Sequence, residues 1–191
     1  MFEVIKKEQY KVSQWSGGTT TEIFLAPEDG SYVERRFDFR ISSATVDLEE
    51  SDFTMLDGVK RYLTILEGKM DLTFQESTCR QVSLRPYEVV EFMGDVPTHS
   101  VGKAKDFNLM LKGCNGVMET YSGEKCHVDL AAGTEAFIYS LNGWIAKCSE
   151  HTADVSGEDT LHIRSLEETL ELEIQGKGGN TQHWVVLKVN A

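Results

Sequence analysis

Two short stretches set groups capable of binding or proton chemistry side by side. In Phe37-Asp38-Phe39-Arg40-Ile41-Ser42 the odd positions are apolar and the even ones polar. Side chains along a strand alternate between its faces, so Arg40 and Ser42 share one. In Asp106-Phe107-Asn108-Leu109-Met110-Leu111 the same parity puts Asp106 with Asn108. A guanidinium presents a planar fork that matches a carboxylate, and a carboxylate beside it either orients that fork or moves a proton. Glu22, Asp106 and Arg40 are the candidates for proton transfer; an orienting ion pair is the commoner use of such neighbours. Arg61 shares a face with Leu63 and Ile65, and at a strand end it would snorkel to solvent. The stretch from Trp15 through Gly17-Gly18-Thr19-Thr20-Thr21-Glu22 reads as a tight turn feeding a strand, with a ligand loop as the alternative. It lacks the pattern of a phosphate loop.

These residues need strands to hold them, and the chain is rich in strand signals. Arg61 to Phe74 reads as a hairpin turning at Glu67-Gly68, and a further strand from Glu88 to Phe92 stops at Gly94-Asp95-Val96-Pro97. Beyond Ser42 the apolar positions change parity, at Ala44, Val46 and Leu48, which predicts a bulge or bend near Ser43. The second half repeats the grammar of the first: Ala136 to Ala146 resembles the Tyr62 to Phe74 segment, Thr160 to Ile163 the Val89 to Phe92 strand, and Trp184 to Val189 the Phe107 to Lys112 strand. No helical stripe of useful length occurs. The expected fold is all-β, two fused cupin-type antiparallel β-barrels, with residues 1–112 forming the barrel that carries the pocket and 113–191 the second. A segment from Lys112 to Gly133 is the linker candidate.

At 191 residues the chain can bury a sizeable core. Its net charge of −12 disfavours nucleic acid and anionic membrane surfaces as partners, while leaving room for a small anion at a local Arg. Cys79, Cys114, Cys126 and Cys148 are too widely spaced for redox or zinc-ribbon motifs. With no signal-like leader and no long apolar run, the expected location is cytoplasmic with reduced thiols. An exposed edge strand offers a route to a homodimer, to which no residue commits the chain.

Trp15-Ser16-Gly17-Gly18-Thr19-Thr20, Phe39-Arg40-Ile41-Ser42, Gly58-Val59-Lys60-Arg61 through Gly68, Phe92-Met93-Gly94-Asp95 and Asp106-Phe107-Asn108 resemble, in order and spacing, the successive motifs of the HutD/Ves family of bicupins. Many members carry Lys-Asn-Gly-Gly-Gly after the Trp; here Trp15 runs directly into Ser16-Gly17-Gly18, so no role of that Asn is carried over. The resemblance implies a cytoplasmic bicupin with a small-molecule pocket in its first barrel. It also implies a regulatory role in histidine utilisation or stress response, through binding of a formylglutamate-like acid. On that reading Arg40 and Arg61 clamp carboxylates, Thr19, Thr20 and Ser42 add hydroxyls, and Asp106, Asn108 and Glu22 orient or accept. Trp15 closes the pocket.

Metal-binding cupins cluster His and Glu on one hairpin, whereas the Leu63 to Phe74 segment has no His, so neither metal nor cofactor is expected. Recognition is better supported than catalysis. The alternative is a metal-independent isomerase or hydrolase of small acids or sugars, with Glu22 or Asp106 as base. A third reading is a structural barrel in which Arg40 is fully paired with Asp106 and no cavity exists.

Overall fold

The structure, a computed structural model, describes residues 2–149, 151–164 and 167–190. The chain opens with β1 (Phe2–Ile5) and a 3-10 turn (Lys7–Gln9). It continues through β2 (Lys11–Trp15), β3 (Gly18–Ala26), β4 (Phe39–Val46), β5 (Glu50–Asp52), β6 (Lys60–Gly68), β7 (Met70–Phe74), β8 (Arg80–Leu84), β9 (Val90–Met93), β10 (Thr98–Val101) and β11 (Ala104–Leu111). The second half adds β12 (Asn115–Gly123), β13 (Lys125–Leu130), β14 (Glu135–Tyr139), β15 (Trp144–Lys147), β16 (Thr152–Val155), β17 (Thr160–Ile163), β18 (Leu170–Gly176) and β19 (Gln182–Asn190). Every ladder between these strands is antiparallel. Among the described residues no helix is long and apolar enough to cross a membrane.

The strands gather into two compact units, Tyr10–Cys114 on the one hand and Met1–Gln9 with Asn115–Ala191 on the other. The first pairs a sheet ordered β2-β3-β4-β11-β6-β9 with one ordered β5-β10-β7-β8. The alternation of β7 shows why they pack: Met70, Leu72 and Phe74 are buried, while Asp71 is exposed. They meet Leu63 and Ile65 of β6 and Val46 of β4 in a shared core, where trimming one large side chain to Ala costs about 2–5 kcal/mol.

The second unit pairs β1-β17-β14-β19-β12 with β13-β18-β15-β16. Its core interleaves Ile138, Leu161 and Trp184 of the first sheet with Val128, Trp144 and Leu172 of the second. Adding eight to each strand number from β4 to β11 reproduces the pairings of β12 to β19, so the self-similarity of the two halves is a repeat of topology. In each of the four sheets the order of described strands has two free ends. The expected closed barrels therefore appear as paired open sheets, all-β and antiparallel.

Four further expectations change. The Arg61 to Phe74 segment is not a hairpin: β6 pairs with β11 and β9, whereas β7 pairs with β10 and β8. Gly68 turns the chain from one sheet into the other with φ 85°, where a Cβ would lie 2.3 Å from the carbonyl oxygen of Lys103. Of the bulge or bend expected near Ser43, a bulge on β4 is absent from the continuous β4–β11 register; the bulge lies on the neighbouring strand, between Glu22 and Phe24. The Lys112 to Gly133 segment, read as a linker, forms β12 and β13. Finally, residues 1–9, assigned in sequence to the first barrel, go elsewhere. β1 extends the second unit by pairing with β17, from Phe2 opposite Ile163 to Ile5 opposite Thr160. Lys6 Nζ sits 2.9 Å from Oδ2 of the buried Asp159, and the Lys7 backbone N–H donates to Oδ1 at 2.9 Å.

Candidate functional site

Three adjacent strands of the Tyr10–Cys114 unit build the floor of a cavity of about 360 Å³. Alternation sends Arg40, Ser42, Ala44 and Val46 of β4 into it, together with Asp106, Asn108 and Met110 of β11 and Arg61 of β6. The register fixes their order. Met110 lies opposite Arg40 on one side and Arg61 on the other, and Asn108 lies opposite Ser42. With strands about 4.8 Å apart, the two arginines spring from backbone positions roughly 10 Å apart at one level of the sheet. Ser13, Trp15 and Thr20 of the β2–β3 arm form one wall, and Ser51 to Thr54 form another.

The two guanidinium groups are provided for differently. Arg40 donates from Nε to Glu22 Oε2 at 2.8 Å and from Nη1 to Ser42 Oγ at 3.0 Å, and its guanidinium lies 4.1 Å from the centroid of the Tyr32 ring. It is a charge with a counter-ion. Arg61 is also only 5% exposed, yet its single hydrogen bond among the described residues runs from Nη2 to the neutral Asn108 Oδ1 at 3.0 Å. Its Nε is buried without a partner. The rings of Phe53 and Phe92, 4.9 and 5.1 Å away, supply cation–π contact but no negative charge. Burial accordingly pushes the Arg61 guanidinium down to about 10. A charge removed from water without a counter-ion is costly, and that cost falls when an anion arrives.

Asp106 completes the set. Its Oδ1 accepts from the Ala44 backbone N–H at 3.0 Å and from Asn108 Nδ2 at 3.1 Å. Asn108 thus links the Arg61 guanidinium to the Asp106 carboxylate without the two touching. Burial pushes the Asp106 carboxyl up to about 6, against the opposing pull of the Ala44 N–H, Arg61, Asn108 and Arg40.

Of the residues singled out in sequence, Trp15, Thr20, Arg40, Ser42, Arg61, Asp106 and Asn108 line the cavity. Glu22 stands behind Arg40 as its ion-pair partner. Thr19 lies opposite Thr45 rather than Ala44, on the other face of β3, because consecutive strand residues cannot both face inward. Arg61 does not snorkel: sharing parity with Leu63 and Ile65 is what carries it into the interior. The reading of the sequence passed over Tyr32, Phe53, Asp52 and Met110. Met110 had a signal, since it shares the parity of Asp106 and Asn108. At the mouth, Asp52 Oδ1 and His99 Nδ1 are 2.8 Å apart.

The family model named HutD matches residues 7–181. Among solved structures, a conserved protein of unknown function from Pseudomonas aeruginosa PAO1 superimposes with a TM-score of 0.85 at 20% identity, covering 100% of both chains. HutD from Pseudomonas fluorescens SBW25, in a formate condition, gives 0.77 at 22% identity, again over 100% of each chain. Oxalate decarboxylase from Bacillus subtilis, a protein with Mn(II) centres, gives 0.64 at 7% identity over 96% of this chain and 76% of that one. Among curated proteins no sequence match was found.

The donors of this cavity do not suit a metal of that kind. Two guanidinium cations flank one buried carboxylate whose Oδ1 already accepts two N–H groups. No His lines the cavity, and among the described residues no three His, Cys, Asp or Glu side chains converge. Matched over most of its length, this chain belongs to the HutD family, whose name ties it to histidine utilisation.

Proposed function

We propose that the Tyr10–Cys114 unit is a receptor for a small organic carboxylate, which Arg61 binds at the inner end of the cavity while Arg40, Ser42 and Thr20 contact the rest of the molecule. The observation that carries this reading is Arg61: a guanidinium 5% exposed, held by one neutral amide, with an orphaned Nε. A ligand carboxylate supplies the missing counter-ion in the planar geometry that guanidinium favours. A competing ligand without one leaves the charge uncompensated. The structural-barrel reading loses ground on two counts, because Arg40 pairs with Glu22 instead of Asp106 and the cavity is there.

The family name favours an intermediate of histidine breakdown, formylglutamate-like, and a regulatory rather than a catalytic part. The paired sheets are then the two walls of cupin-type barrels, and four cysteines in no disulfide among the described residues go with a reducing cytoplasm. One observation favours a second reading, proton transfer by Asp106 in a metal-independent enzyme: a carboxyl held near 6 inside a cleft is poised to exchange a proton.

The test is a thermal-shift screen of small mono- and dicarboxylates, formylglutamate and urocanate among them, on the parent and on Arg61→Met. A ligand at 100 times its dissociation constant adds about 2.7 kcal/mol, which raises the melting temperature by roughly 5–10 °C in a chain of this size. The shift should vanish in the variant. No response to any acid by the folded parent would overturn the receptor reading, and turnover of an acid that binds would move the assignment to the enzyme.

A further inference from the structure

Three buried ionisable side chains, Arg40, Arg61 and Asp106, line the cavity, with Glu22 behind Arg40; the four formal charges cancel, and the Lys11 ammonium 3.8 Å from Glu22 is largely exposed to solvent. Arg40 and Glu22 are in contact, leaving Arg61 and Asp106 to balance each other through Asn108. A carboxylate arriving at Arg61 would leave this enclosed group with one excess negative charge. Arg40, Arg61 and Asp106 are each no more than 5% exposed, so solvent does little to screen the excess.

The hydrogen bonds show where that charge can be neutralised. Both acceptor directions of Asp106 Oδ1 are taken, by the Ala44 N–H and by Asn108 Nδ2. Oδ2 has no hydrogen-bond partner among the described residues, in a side chain that lines the cavity. A proton therefore goes to Oδ2, and there it turns a negative oxygen into a donor on a side chain that lines the cavity.

We propose that the cavity takes up its carboxylate together with one proton, which lands on Oδ2 of Asp106 and is then donated in a hydrogen bond to the ligand. This rests on the carboxylate reading of the site. The proton comes from solvent and returns to it on release; no covalent bond is made. Arg61 gains in the ligand a counter-ion in direct contact, and Glu22 stays with Arg40. The charged and titratable groups around Asp106 are Arg40 on β4, Arg61 on β6, Glu22 on β3 with the exposed Lys11 of β2 at its Oε1, and the Tyr32 phenol. Asp52, Glu50 and His99 form a separate, largely exposed group at the mouth. Of these, Arg61 and Arg40 pull the Asp106 carboxyl down while burial lifts it, so occupying Arg61 releases the brake.

The experiment follows the Asp106 side-chain 13C carboxyl resonance against pH in the full chain, with sodium formate as probe and sodium chloride at equal ionic strength as control. Formate is small enough to enter whatever shape the rest of the ligand has. In chloride Asp106 should titrate near 6; saturating formate should raise that midpoint by at least about one unit, with formate affinity falling up to roughly tenfold per pH unit between the two midpoints. Asp106→Asn should bind formate with no pH dependence over the same range. If formate moves the Arg61 Nε resonance while the Asp106 curve stays put, proton uptake is wrong and carboxylate binding survives. If neither responds, both fall together.

Discussion

Replacing Asp106 by Asn should stabilise the protein at neutral pH, by an amount the site itself predicts. Asn is isosteric with the protonated acid and keeps the Oδ1 acceptor used by the Ala44 N–H and Asn108. In the folded chain the Asp106 carboxyl is raised from 3.8 to about 6. A carboxyl raised on folding contributes stability that is fully present below its unfolded value and lost as pH climbs through the folded one. The loss thus begins near 3.8 and is complete above about 6. By linkage the parent forfeits about 2 kcal/mol at pH 5 and about 3 kcal/mol at pH 8. Urea denaturation of both proteins across that interval measures the difference directly. The advantage of the variant should grow by about 1 kcal/mol from pH 5 to pH 8. A flat difference, or one that shrinks with pH, would refute the claim that burial outweighs the arginines at this carboxyl.

Thr20→Ala should weaken binding of any carboxylate that shifts the parent, whereas Thr19→Ala should leave its affinity within about twofold; the reverse order would mean that β3 is turned over. Gly68→Ala places a Cβ against the Lys103 carbonyl at positive φ, and should lower stability by at least about 2 kcal/mol in chemical denaturation. Asp159→Ala removes the acceptor of both Lys6 Nζ and the Lys7 N–H. Amide exchange in β1 should then accelerate at least tenfold with β4 unchanged, and equal protection in both proteins would show that the β1–β17 ladder holds without this anchor.

Period-two alternation made the centre of the site legible because β4 and β11 are regular, adjacent and in continuous register. Arg40, Ser42, Asp106 and Asn108 could be assigned to their faces from parity alone. Parity also applied to Arg61, but its charge argued for solvent, and only the pairing of β6 with β11 shows that its neighbours on that face are core. Tyr32, Phe53 and Thr54 escaped because they lie outside regular strands, where side-chain direction has no period. Glu67-Gly68 marked a reversal correctly without saying whether it joined two partners or two sheets. A two-sheet corner and a hairpin call for the same residue, and the difference lies in pairings far along the chain.

The placement of β1 sets an order of events during synthesis. Lys6 and Asp159 are 153 residues apart in sequence, and at 5–20 residues per second the ribosome needs roughly 8–30 s to deliver the second after the first. In that interval all of Tyr10–Cys114 has been made and can close on its own core, the Arg40–Arg61 cavity included. The Phe2–Ile5 segment meanwhile waits as an unpaired strand for a ladder not yet translated. The Tyr10–Cys114 unit is thereby able to fold on the nascent chain, while the first strand of the other unit must wait for β17, made near the end of synthesis.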